Sequence, residues 1–261
     1  MTNFNLNSNK KLSRPSEILL VKKQLEAIVS AANQGETGAA KILSSFTRFV
    51  RPTDITRFLV YYECFKKIKN IQGVVIDLGV LHGHSTFSIA HVAEILEPRN
   101  YTRRIIGFDT FTGYDVKSFT EQDGISESEI DQFVAFNESF SSLEELTTAA
   151  KLFSSGQLLP QFEKIEFVAG NAVETIPVWL EKNPGISVAM IILGTDIYEP
   201  TKVALDCFYE RMPKGSLLLF GATNYNPNPG ETKAIMDTIG LQNMRLERFD
   251  FATKFSYALK D

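Results

Sequence analysis

The sequence predicts an α/β fold in which helices cover both faces of a mostly parallel β-sheet. From residue 73 onwards, short and continuous apolar runs alternate with longer segments of helical periodicity. Strands that are buried on both faces are continuously apolar, and their alternation with helices indicates parallel pairing. The 261 residues are enough to bury a sizeable core, and no linker or repeat interrupts them, so we predict a single domain over 1–261.

Three helices precede this alternation and are predicted to form an N-terminal appendage over residues 1–70. The first spans 13–33, with a proline in its opening turn. The second spans 37–50 and is expected to end before Pro52, and the third spans 54–69 with large apolar side chains at helical spacing.

Five strands and four helices follow, and a hairpin closes the chain. The strands are short, rich in β-branched residues and mostly bounded by glycine, as buried strands commonly are. The final two segments are joined by a short turn, which favours antiparallel pairing. The predicted strands span 73–79, 103–109, 164–170, 187–194 and 215–221, the helices 85–96, 175–182, 201–211 and 231–239, and the hairpin 244–260.

A long insertion, residues 114–163, interrupts the regular alternation. Acidic runs are usually solvated surfaces, but long loops at a sheet edge often bind ligands, and the interleaved phenylalanines favour a partly helical flap. Such a flap would suit an apolar or a cationic substrate. Within it, residues 115–145 hold nine acids, one base at Lys117 and four interleaved phenylalanines. The acids are Asp115, Glu121, Asp123, Glu127, Glu129, Asp131, Glu138, Glu144 and Glu145, and the phenylalanines are Phe119, Phe133, Phe136 and Phe140.

Composition and charge weigh against several classes of protein. The net charge of −4 disfavours a nucleic-acid partner, and no apolar run approaches the ~18 residues that a membrane span requires. The first residues lack the apolar core of a signal peptide, and two cysteines are too few for a disulfide framework. Three histidines leave little material for a histidine-rich metal centre. We therefore expect a cytoplasmic protein without nucleic-acid or membrane partners.

The ends of the first three predicted strands carry the residues that suggest a ligand. Ligands of open parallel sheets bind beyond the carboxyl ends of the strands. The first strand ends at Asp77, and Gly79 and Gly83 in the following turn allow close backbone approach, although a tight strand-to-helix turn alone explains the same pattern. The spacing of Gly79 and Gly83 differs from that of the glycines in a dinucleotide-binding loop, which disfavours a nicotinamide dehydrogenase. The acid at Asp77 is suited to bind an ammonium group.

The next two strand ends extend this interpretation. Asp109 ends the second strand, where a carboxylate can accept hydrogen bonds from a ribose diol. Asn171 and Ala172 follow the third strand, where an amide can meet an adenine edge. An adenosine that carries an amino acid matches all three strand ends. The sequence therefore predicts S-adenosylmethionine as the cofactor.

Several segments also match a known family in sequence and in order, across about residues 54–235. They are RF at 57–58, YE at 62–63, DLGV at 77–80, GHST at 83–86, EP at 97–98, Tyr101, RRIIGFDTFTG at 103–113, DIYEPTK at 196–202 and PGET at 229–232. The chain thereby resembles the macrocin O-methyltransferase-like family of class I S-adenosylmethionine-dependent methyltransferases, which act on sugars and other natural products. The resemblance implies a Rossmann-like sheet of seven strands, six parallel and one antiparallel, and a homo-oligomer that is at least a dimer.

The resemblance also assigns residues to parts of the cofactor. Asp77 and Gly79 would lie beside the methionyl part, with Ser85 and Thr86 near its carboxylate. Asp109 would hold the ribose, and Asn171 and Ala172 would border the adenine.

The metal site of the resembling family does not carry over to this chain. Family members commonly hold Mg²⁺ with three carboxylates, at positions that are Gly194, Gly221 and Ala222 here. Mg²⁺ requires near-octahedral oxygen coordination, and these residues offer no side-chain ligand. The pair His82 and His84 lacks the usual metal-binding partners and is expected to line the cofactor loop. We therefore predict no bound metal.

Without a metal, the acceptor must lose its proton to a side chain, or must itself be an easily methylated group such as an amine or a phenol. Candidate bases near the sheet edge are Asp196, His82, His84, Tyr198 and Glu231, although Asp196 and Glu231 could instead cap helices. Two functions remain open. One is a metal-independent methyltransferase that acts on a small natural-product or sugar-like acceptor, and the other is a non-catalytic or repurposed protein that has retained the S-adenosylmethionine fold.

Overall fold

A computed structural model of the protein describes residues 15–136 and 141–261. Part of the predicted first helix, at Ser13 and Arg14, lies outside the described residues, as do Glu138 and Phe140 of the insertion. The chain divides into two compact units, of which the first ends at Arg57 and the second runs from Phe58 to Asp261. The single domain therefore stays a prediction.

The first unit contains the N-terminal helices. They are α1 (Pro15–Ala32), α2 (Gly35–Ser44), a 3₁₀ turn at Phe46–Arg48, and the start of α3 (Pro52–Ile68), which continues into the second unit.

Two boundaries in this unit differ from the prediction, which extended the second helix to residue 50. Helix α2 ends at Ser44, and the hydroxyl of Ser45 donates to the carbonyl of Lys41 at 2.6 Å. Serine side chains compete in this way for backbone groups, which ends helices. Pro52 begins α3, because the first helical position needs no N–H donor.

Seven strands form one sheet in the described part of the second unit. Their bounds are β1 (Val74–Leu78), β2 (Ile105–Asp109), β3 (Ile165–Ala169), β4 (Val188–Leu193), β5 (Leu217–Phe220), β6 (Glu247–Phe249) and β7 (Ala252–Leu259). Their order is β3-β2-β1-β4-β5-β7-β6, and β7 runs antiparallel to both of its neighbours while the other strands share one direction. The predicted sheet of six parallel strands and one reversed strand is confirmed.

Helices cover both faces of this sheet. Because successive strand residues point to opposite faces, Val75 and Ile105 belong to one core and Ile76 and Ile106 to the other. The first core is closed by α3, α4 and α6, and the second by α7, α8 and α9. Beyond α3, the helices are α4 (His84–Leu96), α5 (Glu127–Phe136), α6 (Leu143–Ser155), α7 (Ala172–Lys182), α8 (Tyr198–Phe208) and α9 (Gly230–Thr238).

Helix α6 is an element that the sequence did not predict. It lies inside the insertion, yet Ala150 packs into the first core and Leu146 packs beside Phe111 at the carboxyl edge of the sheet. The second half of the insertion therefore covers the sheet, and only the residues before α6 are placed as a flap would be. None of the described helices has both the length and the apolar character of a membrane-spanning helix.

Candidate functional site

The carboxyl edge of the sheet holds the strained backbone of this protein. In the described ranges, the non-glycine residues with a left-handed φ are Leu81 (52°), Phe111 (56°), Asp196 (60°) and Asn224 (59°). They follow β1, β2, β4 and β5, respectively. Such conformations cost about 1–3 kcal/mol each and cluster where ligands bind, because the surroundings must hold them. The strain therefore marks this edge as the candidate site.

The strand order reverses between β1 and β4, and the loops that follow these two strands approach each other closely. A Cβ atom on Gly79 would lie 2.8 Å from the carbonyl carbon and oxygen of Gly194, and Gly79 has a φ of 88°. Both observations require glycine at this position. Ligand crevices of open α/β sheets open at such reversal points, so Gly79 lies where the prediction places it.

Asp77 is buried below this crevice at the end of β1. Its Oδ2 accepts hydrogen bonds from the hydroxyls of Ser85, at 2.7 Å, and Thr86, and both residues lie in the first turn of α4. Its Oδ1 is buried and has no hydrogen-bond partner among the described residues. Burial raises the pKa of Asp77 to about 6, despite the two hydroxyls that favour its charged form.

These contacts change the expected roles of Ser85 and Thr86. Their hydroxyls are engaged with Asp77, so a cofactor carboxylate would instead meet backbone N–H groups at the start of α4. Gly83 precedes that helix with a φ of 78°, and a Cβ there would meet the side chains of Phe87 and Leu146 within 2.9 Å. The turn from β1 to α4 is therefore tightly packed.

Asp109 connects two of the strained loops. Its Oδ2 accepts the backbone N–H of Leu81 at 2.9 Å, and its Oδ1 accepts the backbone N–H of Phe111 at 2.9 Å. The side chain is half-buried, and Oδ1 also accepts the hydroxyl of Thr110 at 3.4 Å, so a further lone pair remains on Oδ2. Asp109 can therefore hold both loops and still accept a hydrogen bond from a diol.

Asn171 lies at the end of β3 and caps α7. Its Oδ1 accepts the N–H of Val173 at 3.0 Å, while its Nδ2 donates to Asp115 at 2.9 Å and to Ser118 at 3.0 Å. Both amide hydrogens are thus used within the chain, and the side chain ties the insertion to this edge. Ala172 is buried beside it as the first residue of α7.

Glu231 and Asp196 form an acidic pair on the other side of the crevice. Glu231 is fully buried, and its carboxyl oxygens accept the N–H groups of Ala222 at 2.9 Å and Gly221 at 3.3 Å. Burial and the neighbouring Asp196 raise the pKa of Glu231 to about 8, so it is largely protonated at neutral pH. Asp196 is half-buried in the loop after β4. A half-buried carboxylate can meet a ligand, whereas Glu231 is inaccessible.

The other candidate bases have different surroundings. The hydroxyl of Tyr198 donates to Asp237 at 2.9 Å. Asp237 lies six residues after Glu231, which is about 9 Å along α9. The pKa of Tyr198 is raised to about 12, first by burial and then by Asp237. His82 is exposed in the turn after β1, and its Nδ1 lies 3.2 Å from the hydroxyl oxygen of Ser141. His84 is exposed and packs edge-to-face on Tyr61. Asp196 is therefore the best placed of the candidates.

The residues at the family's metal positions do not fit a metal. Gly194, Gly221 and Ala222 carry no ligand atoms, and a Cβ on Gly194 would lie 3.1 Å from the carbonyl oxygen of Leu78. Within residues 15–136 and 141–261, no three His, Cys, Asp or Glu side chains are grouped as metal ligands would be. No step of the chemistry proposed below uses a metal.

The first part of the insertion is fixed across the carboxyl edge by residues that were not among the predicted site residues. Tyr114 donates its hydroxyl to the carbonyl of Thr195 at 3.0 Å. Buried Asp123 accepts the N–H of Tyr198 at 2.7 Å and so caps α8. Two signals pointed to these residues: Tyr114 directly follows a segment that matches the resembling family, and Thr120 and Asp123 have the spacing of a capping box.

An aromatic cluster, defined here as Tyr114, Phe119 and Phe133, joins this fixed part to α5. The three ring centroids lie 5.2 to 5.8 Å apart, in tilted and edge-to-face geometry. Each side chain is half-buried. Two phenylalanines of the insertion thus pack with Tyr114, whose hydroxyl contacts the loop that carries Asp196.

Three solved structures are similar to this chain. The crystal structure of CalS11, a calicheamicin methyltransferase, has 23% identity and a TM-score of 0.83 over 95% of this chain and 93% of that one. The apo structure of CalS11, described as a TDP-rhamnose 3'-O-methyltransferase in calicheamicin biosynthesis, has 21% identity and a TM-score of 0.77 over 95% of each chain. The O-methyltransferase NovP has 16% identity and a TM-score of 0.58 over 93% of this chain and 98% of that one.

No protein-family model and no curated protein matches the sequence. The likeness to the solved structures concerns the fold, and it covers 93–95% of this chain. The chain therefore has the Rossmann-like class I fold of these methyltransferases.

Proposed function

We propose that the protein is an S-adenosylmethionine-dependent methyltransferase that acts on a small-molecule acceptor without a metal. The arrangement of Asp109 and Asp196 at one edge of the sheet carries this proposal. Asp109 ends β2 and Asp196 follows β4, and β1 lies between these two strands, whose axes are therefore about 10 Å apart. One carboxylate is placed for a ribose and the other for an acceptor, with the glycine crevice between them.

The residues of the crevice fit the cofactor. Oδ2 of Asp109 retains a lone pair for the ribose, and the buried Oδ1 of Asp77 lacks a partner below the turn that would take the methionyl part. The start of α4 offers backbone N–H groups for a carboxylate. When bound, S-adenosylmethionine supplies a methyl group on a positively charged sulfur, which is an activated leaving group.

Asp196 is the residue we assign as the base. The carboxylate accepts the proton that the acceptor hydroxyl loses as the oxygen is methylated. Glu231 is a largely neutral neighbour at neutral pH, because its pKa is raised to about 8, so it adds little negative charge beside Asp196. Holding both reactants at one edge supplies much of the remaining rate.

The acceptor we propose is a natural-product or sugar-like molecule. Two similar structures are CalS11, named for a TDP-rhamnose 3'-O-methyltransferase, and NovP, named as an O-methyltransferase. The half-buried aromatic cluster beside Asp196 supplies an apolar surface for such a molecule. The net charge of −4 supports a small-molecule acceptor over nucleic acid.

Two further properties belong to the proposal. Cytoplasmic location is supported by Cys64 and Cys207, which are both free, as is usual in a reducing compartment. A homo-oligomer, dimer or higher, is supported by the family resemblance and by exposed apolar side chains on the N-terminal helices, such as Val29 and Leu43.

Calorimetry and product analysis test this function. We expect S-adenosylhomocysteine to bind, and incubation with S-adenosylmethionine and TDP-rhamnose to give a methylated product by mass spectrometry. Activity that survives EDTA supports the metal-independent reaction, and activity that is lost in EDTA and restored by Mg²⁺ refutes it. Binding without transfer to any of a panel of sugar and phenol acceptors would favour the non-catalytic alternative, and absence of binding would reject the proposal.

A further inference from the structure

We propose that Tyr114 is a positioning residue, whose hydroxyl holds the strained turn at Asp196 so that its carboxylate faces the acceptor. This inference rests on the proposed function, in which Asp196 is the base. Tyr114 belongs to the insertion, and Asp196 belongs to the loop after β4. The contact between them therefore connects the residues that would cover the acceptor to the residue that would take its proton.

The hydrogen bond acts on the peptide group that precedes Asp196. The hydroxyl of Tyr114 donates to the carbonyl oxygen of Thr195 at 3.0 Å. That carbonyl and the nitrogen of Asp196 share one rigid peptide plane. Holding the carbonyl oxygen therefore fixes the orientation of the N–Cα bond of Asp196. Asp196 leaves this plane with a φ of 60°, a conformation that a non-glycine residue keeps only when its surroundings enforce it.

The hydroxyl of Tyr114 remains a donor under all ordinary conditions. Burial raises its pKa well above the usual value, and the carboxylates of Asp196 and Asp109 raise it further. Both acids are therefore near enough to the phenol to affect its pKa. A neutral donor at this place fixes the backbone without neutralising the charge of Asp196.

The ring of Tyr114 is held independently of its hydroxyl. Its centroid lies 5.8 Å from that of Phe119 and 5.2 Å from that of Phe133. Replacement by phenylalanine therefore preserves the aromatic cluster and removes one hydrogen bond. A second contact, between the hydroxyls of Thr195 and Thr201 at 3.3 Å, remains in the variant and keeps the loop folded.

The test compares Tyr114→Phe with a matched control. Tyr257→Phe also removes one tyrosine hydroxyl, which donates to Glu247 at 3.2 Å in the β6–β7 hairpin, and β5 separates this hairpin from β4. With S-adenosylmethionine and TDP-rhamnose as probes, Y114F should lower kcat about tenfold and leave the KM for S-adenosylmethionine unchanged. The reason is that the carboxylate of Asp196, which the substitution would misplace, acts only on the acceptor. Y257F should change neither constant.

A double-mutant cycle separates positioning from general damage. If Tyr114 acts through Asp196, adding Y114F to D196N should cause no further loss of kcat. The full tenfold loss in the D196N background would overturn the inference. An unchanged kcat in Y114F, with D196N impaired, would reject the inference alone, whereas an unchanged kcat in D196N would reject the proposed base together with it.

Hydrogen exchange decides the inference if TDP-rhamnose is not methylated. The backbone amides of Asp196 and Ile197 should exchange about tenfold faster in Y114F than in the wild type, because the loss of one hydrogen bond eases local opening. Y257F should leave these amides unchanged. Unchanged exchange in Y114F would show that the hydroxyl does not hold the turn, whatever the acceptor is.

Discussion

The carboxylate of Asp109 accepts the backbone N–H of Leu81 at 2.9 Å and so joins the loop after β2 to the loop after β1. Its second oxygen accepts the N–H of Phe111. Both of these N–H groups belong to residues with left-handed backbone. One side chain thus stabilises the two strained loops that would enclose the cofactor, which makes Asp109 a structural residue as well as a proposed ligand for ribose.

Asp109→Ala should weaken the binding of S-adenosylhomocysteine strongly. The substitution removes the proposed ribose acceptor and leaves two backbone N–H groups without their partner, at about 1–3 kcal/mol each where water cannot replace it. We expect at least tenfold weaker binding by calorimetry and a lower melting temperature. Asp250→Asn, in the exposed turn between β6 and β7, is the control and should change neither. Wild-type affinity in D109A would show that the ribose does not contact Asp109.

Glu231 should make the protein less stable as the pH rises. Its pKa of about 8 in the folded state lies above the ordinary value of about 4.3, so the folded protein binds more protons than the unfolded chain between these values. The free energy of unfolding therefore falls as the pH rises through this window. Glu231→Gln should flatten the dependence between pH 6 and 8, as measured by urea denaturation.

Asp77 also lowers the free energy of unfolding as the pH rises, but it does so at lower pH than Glu231. Its pKa of about 6 confines its effect to the range from about 4 to 6, so it does not obscure the contribution of Glu231 above pH 6. The same slope in E231Q as in the wild type would contradict the raised pKa of Glu231.

Asp196→Asn should lower the pKa of Glu231. The carboxylate of Asp196 is the second cause, after burial, of the raised value, and a neutral amide removes that repulsion. The carboxyl ¹³C resonance of Glu231, titrated by NMR, should move to a lower midpoint in D196N. An unchanged midpoint would show that burial alone sets this pKa.

Gly79→Ala should destabilise the protein severely. The added Cβ would lie 2.8 Å from backbone atoms of Gly194, which cannot move aside as a side chain can, and the φ of 88° is strained for alanine. Both effects together should exceed about 2 kcal/mol. Gly185→Ala is a suitable control, because a Cβ there meets nothing within 4 Å. Thermal unfolding of the two variants measures the difference.

Asp123→Ala should loosen the junction between the insertion and α8. Asp123 is fully buried and caps α8 through the N–H of Tyr198. Loss of a helix cap costs about 0.5–2 kcal/mol, and the melting temperature should fall by a few degrees. Glu121→Ala, an exposed neighbour in the same 3₁₀ turn, should leave it within a degree. Equal melting temperatures for D123A and the wild type would show that the cap is dispensable.

The sequence determined the order of strands and helices along the chain and the mostly parallel sheet that they form. Runs such as residues 188–193 and 217–220 are continuously apolar because both of their faces are covered, and this property can be recognised from the sequence of the run alone. Helix α6 escaped prediction for the opposite reason. It lies among acidic loop residues, and only its packing against the core shows which face is buried.

Residue types at the strand ends also identified the candidate site, but not what each side chain does there. Asp77, Gly79, Asp109 and Asn171 all lie at the predicted edge. Only the tertiary structure showed that Ser85 and Thr86 serve Asp77, that Glu231 is buried and largely protonated, and that Tyr114 reaches Thr195 across the sheet. Strand ends are encoded locally by apolar runs and turns, whereas hydrogen-bond partners and pKa values depend on which distant segments meet. The sequence by itself therefore determined the fold and the candidate edge of the sheet, and the tertiary structure decided which of the acids there are buried and which are partly exposed.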